Sequence, residues 1–250
     1  MPSHLHIPRH RHVVQDLAPH GWTDATGAVL ISPAIGAAGR APTFTLTLAH
    51  LTTGSCLHLP DGDNRQRFLY VRSGALEVNG ETLPADHFAY LPVDRAATVT
   101  CTTCTDPTDV LVFEQPWEPA AGLTPPTALL TGNALDAPAQ PFMGDPHARL
   151  APLLPATPDF DLAVNRFTFD PGTTLPFSEM HHNDHGLYML AGQGVYRLGD
   201  GPDERWYDVA EDDCLWMAPF CPQWFAATAD KDDRGPATYL YCKNVNRRAR

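Results

Sequence analysis

Charge is scarce in this sequence. Only 18% of its 250 residues are Asp, Glu, Lys or Arg, and the acidic ones outnumber the basic, 29 to 17, for a formal charge of −12. A surface of that sign repels phosphate, which argues against nucleic acid or anionic membrane as the main partner. Long apolar runs are missing too. Nothing approaches the roughly 18–20 residues of a spanning helix, and the polar N-terminus, MPSHLHIPRHRH, has no apolar core of a signal peptide. The expectation is a soluble, cytoplasmic protein. Extended helical periodicity is also rare, whereas proline is plentiful at 25 residues. Short apolar runs separated by proline and glycine predict an all-β protein with ordered turns. Hydrophobic content of 43% is ample for a core.

The six cysteines, at 56, 101, 104, 214, 221 and 242, show no disulfide framework. Cys101 and Cys104 form a lone CTTC. A zinc site would need a second ligand pair, and a redox site a βαβ context; neither is present, so the pair reads as an incidental strand end. The four histidines of HLHIPRHRH read as a flexible basic arm, and the closing NRRAR as a solvated terminus.

The chain repeats itself. Residues 68–93, FLYVRSGALEVNGETLPADHFAYLPV, share a layout with residues 186–220, GLYMLAGQGVYRLGDGPDERWYDVAEDDCLWMAPF. Laying Gly74 on Gly192 aligns LYVRSG with LYMLAG. Each copy then has a β-rich run, a turn, an acidic tight connection (ADHF, EDDC) and a strand ending at proline (YLP, WMAP). The second copy is longer around GDGPDE, which is placed in a hairpin loop. This order of strands and turns resembles the cupins, jelly-roll barrels with metal ligands inside. The expected fold is therefore a bicupin, two jelly-roll barrels from an internal duplication. The expected division is an N-terminal barrel over residues 1–125 and a C-terminal barrel over residues 126–250, the latter including a Pro-, Ala- and Thr-rich linker.

Metal-ligand residue types crowd into SEMHHNDHG, residues 178–186. On an extended chain alternate residues share a face, so Glu179 and His181 point the same way. His185 can converge with them if the chain bends through Asn183-Asp184. The spacing E-x-H-x3-H permutes the ligand types of the usual cupin pattern, H-x-H-x3-E. The usual fourth ligand, a histidine after the proline turn, is replaced in APFCPQWF by Gln223. Two imidazoles and two oxygen donors, with positions left open, suit Mn²⁺ or Fe²⁺ better than a closed zinc site. His182 and Asp184 have the opposite parity and are expected outside the ligand set. In the first repeat the matching positions are Asp61, Asp63 and Arg67. An arginine there repels a cation, so the N-terminal barrel is expected to hold none.

With these residues in place, the chain resembles the (S)-ureidoglycine aminohydrolase family, bicupins of allantoin and purine catabolism. The resemblance rests on E-M-H-HND-H-GLYML-GQGVYRL, WMAPFCPQWFAA and YLYCKNVNR, and more loosely on AVLISPAIGA and QRFLYV. It implies an enzyme that releases ammonia from (S)-ureidoglycine to give (S)-ureidoglycolate, with Mn²⁺ held by Glu179, His181, His185 and Gln223. It also implies substrate contacts at Tyr196, Tyr239 and Lys243. Departures are the GDGPDE insertion and the Cys-Lys pair where relatives often carry Tyr-Lys. The residues suit that chemistry. Tyr239 and Lys243 share a strand face, and a lysine enclosed in a barrel can be drawn towards neutrality and exchange protons. Alternative readings are an Fe²⁺ cupin dioxygenase and a non-catalytic metabolite-binding cupin. A homo-oligomer acting on a small molecule is expected by analogy with other cupins.

Overall fold

The computed structural model describes residues 3–35, 41–59, 62, 64–101, 107–118, 120–228 and 235–246. The chain is all-β, as expected, with 57% strand and 5% helix among the described residues. Among the described residues no helix is long and apolar enough to cross a membrane.

Two compact units form. The N-terminal unit holds His12–Pro33 and Thr43–Asp136; the C-terminal unit takes the chain from Ala137 together with the segment ending at Arg11 and the segment Ala34–Pro42. Two pairings bear on where the units divide. Leu130–Asn133 pairs with His87–Leu91 and extends the N-terminal sheet, so the linker carries a strand of the first unit. The histidine arm, expected to be flexible, is instead the strand His4–Ile7, paired with Cys214–Met217. The arm is fastened there by His6 Nε2, 2.9 Å from Asp213 Oδ2, and by the Arg9 amide, which donates to Asp213 Oδ1 at 3.0 Å. Burial alone would raise the Asp213 carboxyl. The hydrogen bonds from His6, Arg9 and Ala210 outweigh it and hold that group below the ordinary carboxylate range.

The C-terminal unit is a jelly roll of two sheets. In the larger, the order is His4–Ile7, Cys214–Met217, His185–Ala191, Ala237–Asn244, Leu162–Phe169, Asp145–Pro152 and Gln140–Phe142. In the smaller, Gln193–Leu198 lies between Arg205–Ala210 and Gln223–Ala227. The GDGPDE insertion turns between the first two of these strands, as expected, through the short 3-10 turn Gly201–Asp203. Phe167, Phe169, Leu187, Met189, Leu198, Phe225 and Tyr239 pack together as its core. Each such side chain stabilises the fold by roughly 1.5–3 kcal/mol on burial. A few of them therefore outweigh one buried polar atom without a partner, which costs about 1–3 kcal/mol.

The duplication is visible atom by atom. Gly74 and Gly192 both adopt left-handed backbone, φ 74° and 72°. Asp86 and Asp212 do the same at φ 63° and 71°, and each accepts a tyrosine hydroxyl, from Tyr70 at 2.5 Å and Tyr188 at 3.0 Å. The glycine is required for space as well as conformation: a Cβ on Gly192 would meet the Ala237 Cα and Pro236 O at 2.7 Å. Both are backbone atoms and cannot swing aside. Gly192→Ala is expected to cost about 1–3 kcal/mol from strain alone, read as a lower urea midpoint at unchanged slope. A midpoint equal to the parent's would show that the turn tolerates a side chain.

Cys101 also differs from expectation. It is disulfide-bonded rather than an incidental free thiol, while Cys104 lies outside the described residues. The described part of the closing tail ends at Asn246.

Candidate active site

Three stretches of chain bring the site together. Glu179 lies in extended chain rather than in a strand, and a single antiparallel bridge sets it opposite Gln223. Their backbones exchange two hydrogen bonds, Glu179 N to Gln223 O at 2.8 Å and Gln223 N to Glu179 O at 2.9 Å. His181 follows on the same side and is fixed by its carbonyl, which accepts from the Phe220 amide at 2.6 Å. His185 begins the strand His185–Ala191, where it faces Met217 on one neighbour and Lys243 on the other.

The bend through Asn183-Asp184 has a physical cause. Asn183 Nδ2 donates to the Asn244 carbonyl at 2.5 Å, and the Asp184 amide donates to Asn244 Oδ1 at 3.2 Å. Asp184 is fully buried and accepts the Trp216 indole N–H at 2.5 Å. The turn is thus tied to the residue after Lys243 and to the strand beneath it. His182 is exposed. Of the two residues of opposite parity, His182 faces solvent and Asp184 braces the turn from within.

Glu179, His181, His185, Gln223, Tyr196, Tyr239 and Lys243, all named from the sequence, line one cavity of about 150 Å³. Tyr241 lines it as well, a residue the sequence reading missed although it shares the face of Tyr239 and Lys243. Phe142, Leu150, Phe167 and Met217 supply apolar wall.

Within the cavity, His181 Nε2 lies 3.4 Å from Glu179 Oε2, and the His181 and His185 rings are 5.0 Å apart. Gln223 is held at both ends, by the Tyr196 hydroxyl donating to its Oε1 at 3.1 Å and by His185 Nδ1 at 3.2 Å from its Nε2. The other nitrogen of that ring, His185 Nε2, is buried and has no hydrogen-bond partner. Burial, helped by the nearby His181 and Lys243 charges, pushes His185 well below the ordinary histidine range. Its ring is therefore a neutral imidazole, and a cation at Nε2 requires the ring proton on Nδ1 and hence the Gln223 amide turned so that its oxygen, not its nitrogen, faces Nδ1.

Burial also pushes the Tyr196, Tyr239 and Tyr241 hydroxyls up, so all three stay protonated and can donate. It pulls Lys243 down from its ordinary value, against the opposing pull of Glu179. Among the described residues no three His, Cys, Asp or Glu side chains are already drawn into a metal-holding group. The donors stand instead as two facing pairs, Glu179 with His181 and His185 with the amide of Gln223, which is outside those four residue types. A neutral buried imidazole nitrogen without a partner, beside a carboxylate, a second imidazole and an amide, fits a divalent cation.

Comparison with known proteins assigns the chain. It is 36% identical over 255 aligned residues to a protein of Oryza sativa subsp. japonica named probable (S)-ureidoglycine aminohydrolase, covering 98% of this chain and 74% of that one. The chain belongs to the (S)-ureidoglycine aminohydrolase family. An Arabidopsis thaliana member named (S)-ureidoglycine aminohydrolase is 35% identical over 98% of this chain and 76% of its own. Among solved structures, a Pseudomonas aeruginosa protein described as a putative glyoxylate-induced protein superposes with a TM-score of 0.84 at 26% identity, covering 100% of this chain and 91% of the other. No protein-family model matches the chain. Membership in the (S)-ureidoglycine aminohydrolase family makes this chain an enzyme, a bicupin hydrolase.

Proposed function

We propose that the C-terminal cavity binds one divalent cation, Mn²⁺ with Fe²⁺ as the alternative, through Glu179, His181, His185 and Gln223. There it releases ammonia from (S)-ureidoglycine and leaves (S)-ureidoglycolate. The reading is carried by His185 Nε2, a neutral, buried, partnerless nitrogen in the same cavity as the other three donors and Lys243. A cation held by these residues would supply Lewis acidity to polarise the bound substrate.

The rest of the work falls to side chains. Lys243, with its pKa lowered by burial, moves a proton between the incoming water and the departing amine. Tyr239 is a permanently protonated donor on the same strand face and contacts the substrate; Tyr241 is equipped to do the same. Tyr196, a substrate contact in the family, here also steadies Gln223. Phe142, Leu150 and Phe167 restrict water, which strengthens each polar contact inside. The enzyme acts on a small molecule, and we place it in the cytoplasm as a homo-oligomer.

Gln223 tests the ligand set. Its amide oxygen is neutral and shared with Tyr196, so it should be a weak ligand. Gln223→His is expected to tighten metal binding and to lower turnover, because imidazole donates more strongly but changes the geometry offered to substrate. Metal titration and steady-state rates check both. If Gln223→Ala leaves affinity and rate at parental values, Gln223 does not touch the metal. Metal analysis of the parent should give about one cation per chain, and Arg67→Ala should leave that number unchanged.

A further inference from the structure

Three tyrosines line the C-terminal cavity, and their hydroxyls are engaged differently. That of Tyr196 bonds the Gln223 amide at 3.1 Å. The Tyr239 hydroxyl interacts with that of Tyr196, so these two form a short chain ending on Gln223. The Tyr241 hydroxyl has no hydrogen-bond partner among the described residues. A tyrosine enclosed by protein usually gives its O–H to a neighbour. Tyr241 instead lines a cavity of about 150 Å³ with its proton left for whatever enters.

Its position follows from the strand that carries it. Tyr241 lies on Ala237–Asn244, between Tyr239 and Lys243 on one face. Across the sheet it is opposite Leu187 on one neighbour and Asn165 on the other. Its ring stands 6.4 Å from that of His185, 6.1 Å from Tyr239 and 6.5 Å from Phe167. Tyr241 therefore sits where the proposed metal ligands meet the apolar wall. Lys243 is two residues along, roughly 6–7 Å on an extended strand, so one small molecule can touch both.

We propose that the Tyr241 hydroxyl donates to the ureido carbonyl of the substrate and so selects ureido acids over simple ones. This contact presupposes the reading of the cavity as the (S)-ureidoglycine site, and it sets which acids that site accepts. The carboxylate and the departing amine share one carbon, where Lys243 moves a proton. The ureido carbonyl lies beside that carbon, across one nitrogen, and is an uncharged acceptor. An uncharged O–H matches it without adding a cation that would compete for the carboxylate. Phe142, Leu150 and Phe167 offer it no hydrogen bond. An acid without the carbonyl leaves the Tyr241 donor enclosed and unpaired, which is the source of the discrimination.

N-carbamoylglycine is the probe, since it keeps the ureido carbonyl and the carboxylate but lacks the amino group that departs. Pentanoate, an acid of the same chain length without the carbonyl, is the control. Both are titrated calorimetrically into Mn²⁺-loaded full-length protein. Tyr241→Phe keeps the ring and removes only the hydroxyl. It should bind N-carbamoylglycine about tenfold more weakly than the parent, the scale of one hydrogen bond, with pentanoate binding and metal content at parental values. The KM for (S)-ureidoglycine should rise by a similar factor. No binding of N-carbamoylglycine to the parent, equal binding to parent and Tyr241→Phe, or equal losses for both acids overturns the contact. In the second of these cases, ammonia release by the parent leaves the reaction standing. The expected selective loss, with no ammonia released by the parent, overturns the reaction and leaves the ureido contact in place.

Discussion

His185→Ala should abolish both metal binding and ammonia release while leaving the fold in place. Three features of His185 combine to give that expectation. Its Nε2 has no protein partner, so no internal hydrogen bond is lost with it. Its Nδ1 is paired with Gln223, so removing the ring also frees a second proposed donor to reorient. It opens a strand whose remaining residues are pinned on both edges, by Cys214–Met217 and by Ala237–Asn244. Deleting a buried large side chain costs about 2–5 kcal/mol, but here the cost is reduced by removing an unsatisfied polar atom that itself costs about 1–3 kcal/mol. Circular dichroism should therefore match the parent with a modest loss of thermal stability, while metal analysis falls to background. Metal retained at parental stoichiometry would remove His185 from the site.

Lys243→Met should lower kcat by about 10²-fold or more, the usual scale for losing a general acid or base, with metal content and folding close to the parent. Methionine keeps the apolar stem that packs in the cavity and removes the charge and the proton. The pH profile gives a sharper reading than the rate alone. Burial lowers the Lys243 pKa, so the ammonium loses its proton at a lower pH than an ordinary lysine, whose value is about 10.4. If the protonated form delivers the proton to the departing amine, parental activity falls as pH rises through that lowered value. The same limb should be missing from Lys243→Met. A variant that keeps most of its turnover, or that fails only because the metal has gone, contradicts the proton-transfer role.

Much of this was legible in the sequence because the duplication repeats its turn chemistry. Gly74 and Gly192, and the acidic ADHF and EDDC connections, mark left-handed positions that few residues tolerate, and the structure has left-handed backbone at all four places. Glu179 and His181 were legible for a similar reason, parity along an extended chain, whereas Gln223 came from the usual order of cupin ligands and Tyr196, Tyr239 and Lys243 from the resemblance to the family. That same parity pointed to Tyr241, two residues from both Tyr239 and Lys243, so its omission was a failure to apply the rule.

Other features had no local signal. His4–Ile7 alternates His and apolar residues, but its partners Cys214–Met217 and Asp213 lie about two hundred positions away. Nothing near HLHI announces a strand rather than a loose arm. The ties from Asn183 and Asp184 to Asn244 likewise join side chains that no spacing pattern connects. The strand Leu130–Asn133 hid within a Pro- and Thr-rich linker because a short edge strand needs only one pairing neighbour, here His87–Leu91.

The most direct test of the central claim is ammonia release from freshly generated (S)-ureidoglycine by Mn²⁺-loaded protein, with the chirality of the product determined. Ammonia in stoichiometric yield with (S)-ureidoglycolate, at a rate well above the uncatalysed background and lost in His185→Ala, is the result this account predicts. Background-level release by protein carrying its full complement of metal, or a racemic product, would contradict it.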